Sequence, residues 1–234
     1  MKTAGLTVYE LAGADRNLRI SPHCWKLRMA LAHKSLEAKF LPWRFTEKEA
    51  IAFSGQGAVP VLVDGEVVVS DSWRIALHLE ERFAGGFSLF GGTGLLPLAR
   101  FVNGWADTAL LPAIARIIAV DIHARLDVRD QDYFRSSREK RFGQTLEQVS
   151  ADRPGLIDRF RQALAPLQQS LKGQDFIAGD APTYADYCVF GMFMWARCSS
   201  PAALIEESDP IFAWRDRLLD AFGGLARSAP ASQC

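Results

Sequence analysis

The sequence predicts an α/β N-terminal domain, in the order βαβ-ββα, followed by an all-α C-terminal domain. A β-rich alternation at residues 7–11 passes through a polar loop, residues 12–19, to Ser21 and Pro22, which open an amphipathic helical run. The run Val59-Pro60-Val61-Leu62-Val63-Asp64-Gly65-Glu66-Val67-Val68-Val69 reads as two strands joined by a tight turn at Asp64-Gly65. Beyond the glycines Gly85, Gly86, Gly91, Gly92 and Gly94, every apolar stripe has helical spacing.

Each element follows from its own residues. The helix from Pro22 carries Trp25, Leu27, Met29 and Leu31 and ends near His33-Lys34, where cationic side chains suit the negative end of the helix dipole. Residues 38–41 supply a second strand, parallel to the first through a right-handed crossover. An irregular polar segment precedes the hairpin. Ser70-Asp71-Ser72 then offers capping oxygens to a helix through Trp73, Ile75, Ala76, Leu79 and Phe83. The boundaries are residues 1–84 for the first domain, 85–97 for the linker and 98–225 for the helical domain, with a disordered tail at 226–234. Within the helical domain Pro112 should kink the first long helix, and further helices fit residues 133–149, 156–171, 184–197 and 210–222.

Composition excludes several function classes. The 234 residues are 49% hydrophobic and 23% charged, as in ordinary globular proteins. Lys+Arg and Asp+Glu are equal at 27 each, so no basic field draws in nucleic acid or an anionic membrane. No membrane span and no signal-peptide core is visible, which makes a cytoplasmic location the expectation. Cys24, Cys188, Cys198 and Cys234 are too scattered for a disulfide framework or a zinc ribbon, and His23, His33, His78 and His123 form no metal-ligand spacing. No phosphate-cradling glycine loop exists, so nucleotide chemistry is disfavoured.

The chemistry-bearing stretch is Ile20-Ser21-Pro22-His23-Cys24-Trp25. It has the form of a Cys-x-x-Cys redox motif with serine in the first position. A side chain just before a helix start lies beside unpaired N–H groups and the positive dipole end, a setting that stabilises an anion such as a thiolate. Taken alone, Ser21 reads first as a plain N-cap, Val59-Pro60 first as a trans proline at a strand edge and second as a turn or cis bond, and Asp71-Ser72 first as a helix cap and second as a carboxylate-binding helix start. Together the three are more specific, because a βα…ββα unit brings them to one end of the sheet.

Ser-Pro-x-x-Trp, Val-Pro-Val-Leu and Asp-Ser, in that order, resemble the cytosolic glutathione transferases, and Thr183-Tyr184-Ala185-Asp186 resembles the capping box of that family's helical domain. The similarity is greatest to the bacterial β-aryl etherases and the fungal etherase-like transferases, which use glutathione on lignin-type aryl ethers. The resemblance implies a thioredoxin-like first domain, glutathione as cosubstrate, and a homodimer pairing the helix after the hairpin with the helix after the linker. It implies that Ser21 donates its hydroxyl to the glutathione sulfur and that the Val59 backbone pairs with the cysteinyl backbone ahead of cis-Pro60. Asp71 with Ser72 would hold the γ-glutamyl end, and Gln56 is a further candidate contact. No residue matches the glycyl-carboxylate contact; Arg44 and Lys48 are nominated on charge alone.

The electrophile, a small hydrophobic aromatic molecule, is expected between the domains, with Phe101, Trp105, Trp195 and Trp43 as candidate lining, although an aromatic at helical spacing is more often core. Cys24 reads as a buried small residue, which ranks disulfide reduction low. His23 reads as a surface residue of the first turn, His78 as decoration of a helix face, and Arg116 and His123 have no assigned role. Two other readings stand beside the transferase: a carrier of aromatic ligands without turnover, and a glutathione-dependent isomerase or peroxidase.

Overall fold

The computed structural model describes residues 5–232. Strand β1 (Leu6–Leu11) leads through the loop to helix α1 (Pro22–His33) and strand β2 (Ala38–Trp43), which pairs parallel with β1 along its full length. Strands β3 (Val61–Asp64) and β4 (Val67–Ser70) follow, then helix α2 (Ser72–Arg82). The sheet order is β2-β1-β3-β4, with β1 and β3 antiparallel, the four-stranded mixed sheet of the thioredoxin-like fold. The hairpin turns one residue later than expected: Asp64 still pairs with Val67, and Gly65, at φ 61°, takes the first loop position that a side chain would disfavour.

The helical unit holds α3 (Leu96–Trp105), α4 (Leu111–Arg125), α5 (Val128–Phe142), α6 (Leu146–Val149), α7 (Arg153–Ala163), α8 (Ala165–Ser170), α9 (Tyr184–Ser199) and α10 (Pro210–Gly224). The kink expected at Pro112 is spread over a wide π-helical turn, Ala106–Leu110, just ahead of the proline, whose ring and missing N–H disturb the turn before it. Two expected helices are each divided. Gly143, at φ 70°, ends α5 and Thr145 caps α6, while Leu164 separates α7 from α8, two residues before Pro166 in the first turn of α8.

Within the glycine-rich linker Leu89 and Phe90 are buried, and the Tyr184 N–H donates to the Leu89 carbonyl at 2.6 Å. The expected disorder of the tail is corrected. The tail is ordered as far as it is described. Positive φ at Phe222, Gly223 and Gly224 turns it back onto α9, where Ala226 is buried and the Ser232 N–H donates to the Arg197 carbonyl at 2.9 Å. Cys234 lies outside the described residues. Among those residues no helix is long and apolar enough to cross a membrane, and no group of side chains has the make-up of a metal site.

Helix α9 is the central beam: all its residues except Arg197 are buried. Its N-terminus is tied by Asp186, whose carboxylate accepts the Ile177 and Thr183 N–H groups at 2.9 and 2.8 Å and the Trp214 indole N–H at 2.9 Å. Further along, Gly191 meets the first turn of α1. A Cβ there would lie 2.5 Å from the Pro22 carbonyl oxygen and 3.2 Å from Lys26 Cγ. Gly191→Ala should therefore lower stability by about 1–3 kcal/mol through overpacking, less the ~1 kcal/mol an alanine gains in a helix. Thermal unfolding checks this, at about 2–4 °C per kcal/mol for a chain of this size; a raised Tm would contradict the contact.

Candidate active site

Ser21 stands at the N-terminus of α1 with extended backbone (φ −128°, ψ 126°), and Pro22 occupies the first helical turn. Its Oγ accepts the Cys24 N–H at 3.3 Å. A hydroxyl that accepts in this way keeps its own hydrogen to donate. The loop that delivers it is held by the buried carboxylate of Glu10, which accepts from Arg19 Nε at 2.8 Å and from Arg28 Nε and Nη2 at 2.8 and 2.6 Å. The Trp25 indole N–H adds a bond to the Arg19 carbonyl at 3.1 Å.

Ser21 is 5% exposed, and the space it opens on is a cavity of about 300 Å³ between the two units. Pro22, His23 and Val59 border it on the sheet side. Trp43, Phe45, Tyr133, Phe134, Phe142 and Trp195 supply aromatic wall, and Arg138 and Arg141 are the cationic members. A small concave site of mostly apolar lining with a few polar groups is the usual form of a small-molecule pocket.

The sequence candidates divide. The Val59–Pro60 peptide bond is cis, with Val59 on the cavity and Pro60 buried. Asp71 sits at φ 78°, a backbone region sparsely populated outside glycine, and caps α2 by accepting the Arg74 N–H at 3.0 Å. Its negative charge lies within electrostatic reach of the His23 ring at the start of α1. Ser72 is buried, its carbonyl accepting the Tyr184 hydroxyl at 2.8 Å. Gln56 is exposed and outside the cavity lining, although Gly57 and Ala58 border it. Trp43 and Trp195 line the cavity, whereas Phe101 is 72% exposed and Trp105 lies outside the lining.

The two charge nominations separate as well. Arg44 is occupied, donating to the Ala14 carbonyl at 2.8 Å and pairing with Asp127 at 3.0 Å, so it braces the first loop against the helical unit. Lys48 is exposed, with Nζ 4.9 Å from the ring centre of Tyr133 at the cavity wall. Cys24 is buried, and burial pushes its thiol up to about 12.

Sequence reasoning missed the α4 and α5 wall. Its signal was present as spacing: Leu111, Ala115, Ala119 and Ile122 recur at helical intervals, as do Phe134, Arg138 and Phe142. The assumed helix of residues 133–149 obscured which face of α5 turns inward.

Residues 17–86 match the model of the glutathione S-transferase N-terminal domain, and residues 97–220 that of the C-terminal domain. The chain belongs to the glutathione S-transferase family. Glutathione is the cosubstrate of this family. Among curated relatives, Glutathione S-transferase Z1 of Arabidopsis thaliana is 33% identical over 63 residues, and a zeta-class glutathione S-transferase of Euphorbia esula is 36% identical over 64. Each match covers 25% of this chain and 28% of the relative's length. Two solved structures share the whole fold. Glutathione transferase GSTFuA3 of Phanerochaete chrysosporium has a TM-score of 0.83 at 22% identity, covering 93% of this chain and 97% of that one. A glutathione S-transferase of Ceriporiopsis subvermispora, in complex with glutathione, has a TM-score of 0.82 at 22% identity, covering 93% and 96%.

In the transferase His23, with its side chain 34% exposed, is a surface residue of the first turn that also borders the cavity. Burial and the nearby Lys26 ammonium lower its pKa, outweighing Asp107 and Asp71, and burial likewise lowers those of His33 and His123. A histidine whose folded pKa lies below its unfolded value stabilises the fold fully above the unfolded pKa, and the contribution falls as acid protonates the unfolded chain first. Stability should thus fall from about pH 6.5 towards pH 4, beginning above the range where carboxylates titrate. Melting curves across that window check this, with a shallower slope expected for His23→Gln; an identical slope would mean that the folded ring takes up the proton normally.

Proposed function

We propose that this transferase activates glutathione at Ser21 and directs its sulfur onto a hydrophobic aromatic electrophile in the adjoining cavity, β-aryl ether cleavage being the most specific form. One observation carries the reading: the Ser21 hydroxyl, at the start of α1, faces a cavity walled by aromatic side chains. A thiol of ordinary pKa is only a few per cent ionised at neutral pH, and lowering that pKa by about two units needs about 2.7 kcal/mol of preferential thiolate stabilisation. A hydrogen bond to a charged group contributes about 1.5–3 kcal/mol and a helix N-terminus about 0.3–1 kcal/mol, which together reach that figure.

The glutathione backbone would pair with Val59 ahead of Pro60, its γ-glutamyl end would meet Asp71 and Ser72 at the start of α2, and Gln56 and Lys48 would stand at the rim. In ether cleavage the thiolate attacks the carbon that bears the aryloxy group beside a ketone. A carbon–sulfur bond forms, the carbon–oxygen bond breaks and a phenolate leaves. The reading brings with it a cytoplasmic homodimer; Leu77 on α2 and Phe101 on α3 are exposed apolar side chains on the two helices that would pair.

Ser21→Ala should raise the pKa of bound glutathione by about one to two units and lower kcat/KM at neutral pH about 10- to 100-fold, with little change in glutathione affinity. Ultraviolet thiolate absorbance during a glutathione titration reads the first quantity, and phenol release from a model β-aryl ether ketone the second. An unchanged thiolate signal in the variant would remove Ser21 from the activation step. Tight binding with no product from any electrophile class would favour the carrier reading.

A further inference from the structure

We infer that the electrophile bound by this transferase is an aryl carboxylate, its acid group held by Arg138 and Arg141 on α5 at the helical wall of the cavity. The inference deepens the proposed function, since it takes the cavity beside Ser21 as the second-substrate pocket. It rests on a charge imbalance in that cavity.

The buried cations near the unit boundary each have a carboxylate partner. Lys26 Nζ meets Asp107 at 2.7 Å, Arg19 meets Glu10 at 2.8 Å, Lys34 meets Glu80 at 2.9 Å and Arg44 meets Asp127 at 3.0 Å. Arg138 is half-buried and borders the cavity, yet its side-chain hydrogen bond goes to the neutral Ser137 hydroxyl at 2.9 Å. Among the described residues neither Arg138 nor Arg141 has a carboxylate within ion-pair distance. Of the acids on α5, Glu139 pairs with Arg135, Asp130 accepts the Thr46 hydroxyl at 2.7 Å through one oxygen, and Asp132 is exposed; among the described residues none forms an ion pair with Arg138 or Arg141. The guanidinium of Arg138 lies over Phe134, 4.9 Å from its ring centre, and 5.7 Å from that of Phe45, which holds the fork by cation–π contact without neutralising it.

Arg141 is exposed and adds a second positive charge at the margin of the cavity, and the charged form of half-buried Arg138 is disfavoured both by burial and by Arg141. Such an arrangement lacks one negative group. A guanidinium fork matches a planar carboxylate with two parallel hydrogen bonds, and the aromatic wall of Trp43, Phe142 and Trp195 suits the ring that would carry it.

Trp43 and Trp195 supply the readout, because a ligand in the cavity should quench their fluorescence. The probes are para-phenoxybenzoate and its methyl ester, which share a ring system and differ in charge, titrated in the presence of saturating glutathione. The acid should bind the unmodified protein at least about 10-fold more tightly than the ester. Arg138→Gln should reduce that preference to within about threefold, Arg141→Gln should weaken it, and Arg138→Lys should keep part of it, with ester affinity little changed in all three. Equal binding of acid and ester by the unmodified protein would overturn the proposal. So would a loss of glutathione affinity in Arg138→Gln, which would assign the guanidinium to the tripeptide. The titration needs no turnover, so a failure of the transfer reaction is read separately from a failure of the carboxylate site.

Discussion

The contact on which the rest depends is the crossing of α1 and α9, where Gly191 lets the central helix of the helical unit approach the first turn of the helix that begins at Ser21. Lys26, one turn beyond Pro22, is fully buried at this junction, its ammonium donating to Asn103 at 2.9 Å and Asp107 at 2.7 Å on the other unit. A buried ammonium tolerates few arrangements, because a lost partner leaves an uncompensated charge in a poorly solvated place. The crossing thus fixes more than an angle between helices: it sets where Ser21 stands relative to the wall built by α4 and α5.

The opposite side of the cavity is fixed by a different set of bonds. Arg44 joins the loop after β1 to the α4–α5 junction through the Ala14 carbonyl and Asp127, and Gly13 allows that approach, since a Cβ there would lie 2.8 Å from the Arg125 carbonyl oxygen. The main-chain N–H and hydroxyl of Thr46 both donate to Asp130 on α5, at 2.9 and 2.7 Å. With Lys26 at one margin and Arg44 and Thr46 at the other, the units close around the pocket through polar contacts, which leaves its interior free to be aromatic.

What could be read from the sequence follows the range of the forces involved. The strand, hairpin and cap signals are local, and so β1, α1, the Val59–Pro60 turn and the start of α2 were legible, together with the family to which their order belongs. The inward face of α5 was not, because Gly143 stops that helix earlier than its charge-rich surface suggests and Gly-Gln-Thr restarts it as α6. Arg44 was misjudged for a related reason. Its charge is visible in the sequence, whereas its partners Ala14 and Asp127 come from segments 30 residues before and 83 after it, and only the tertiary structure joins them. Phe101 shows the converse: an aromatic on a helical stripe that the fold leaves 72% exposed.

Ser21 and Cys24 lie three residues apart in one helical turn, and their surroundings give them opposite chemistry. Cys24 points into the packed interior beside the buried Glu10 carboxylate, and burial followed by that charge drives its thiol up to about 12, so its sulfur stays protonated at any physiological pH. Ser21 faces the cavity at the positive end of the same helix. A helix start favours an anion only at its mouth, within the first turn and where N–H groups remain unpaired. The chain therefore offers anion-stabilising geometry at a position where it has a hydroxyl and no sulfur, and withholds it where it has sulfur. On the proposed reading, a thiolate at this site has to arrive with the ligand, and a hydroxyl there can stabilise it without the competing route of a protein disulfide.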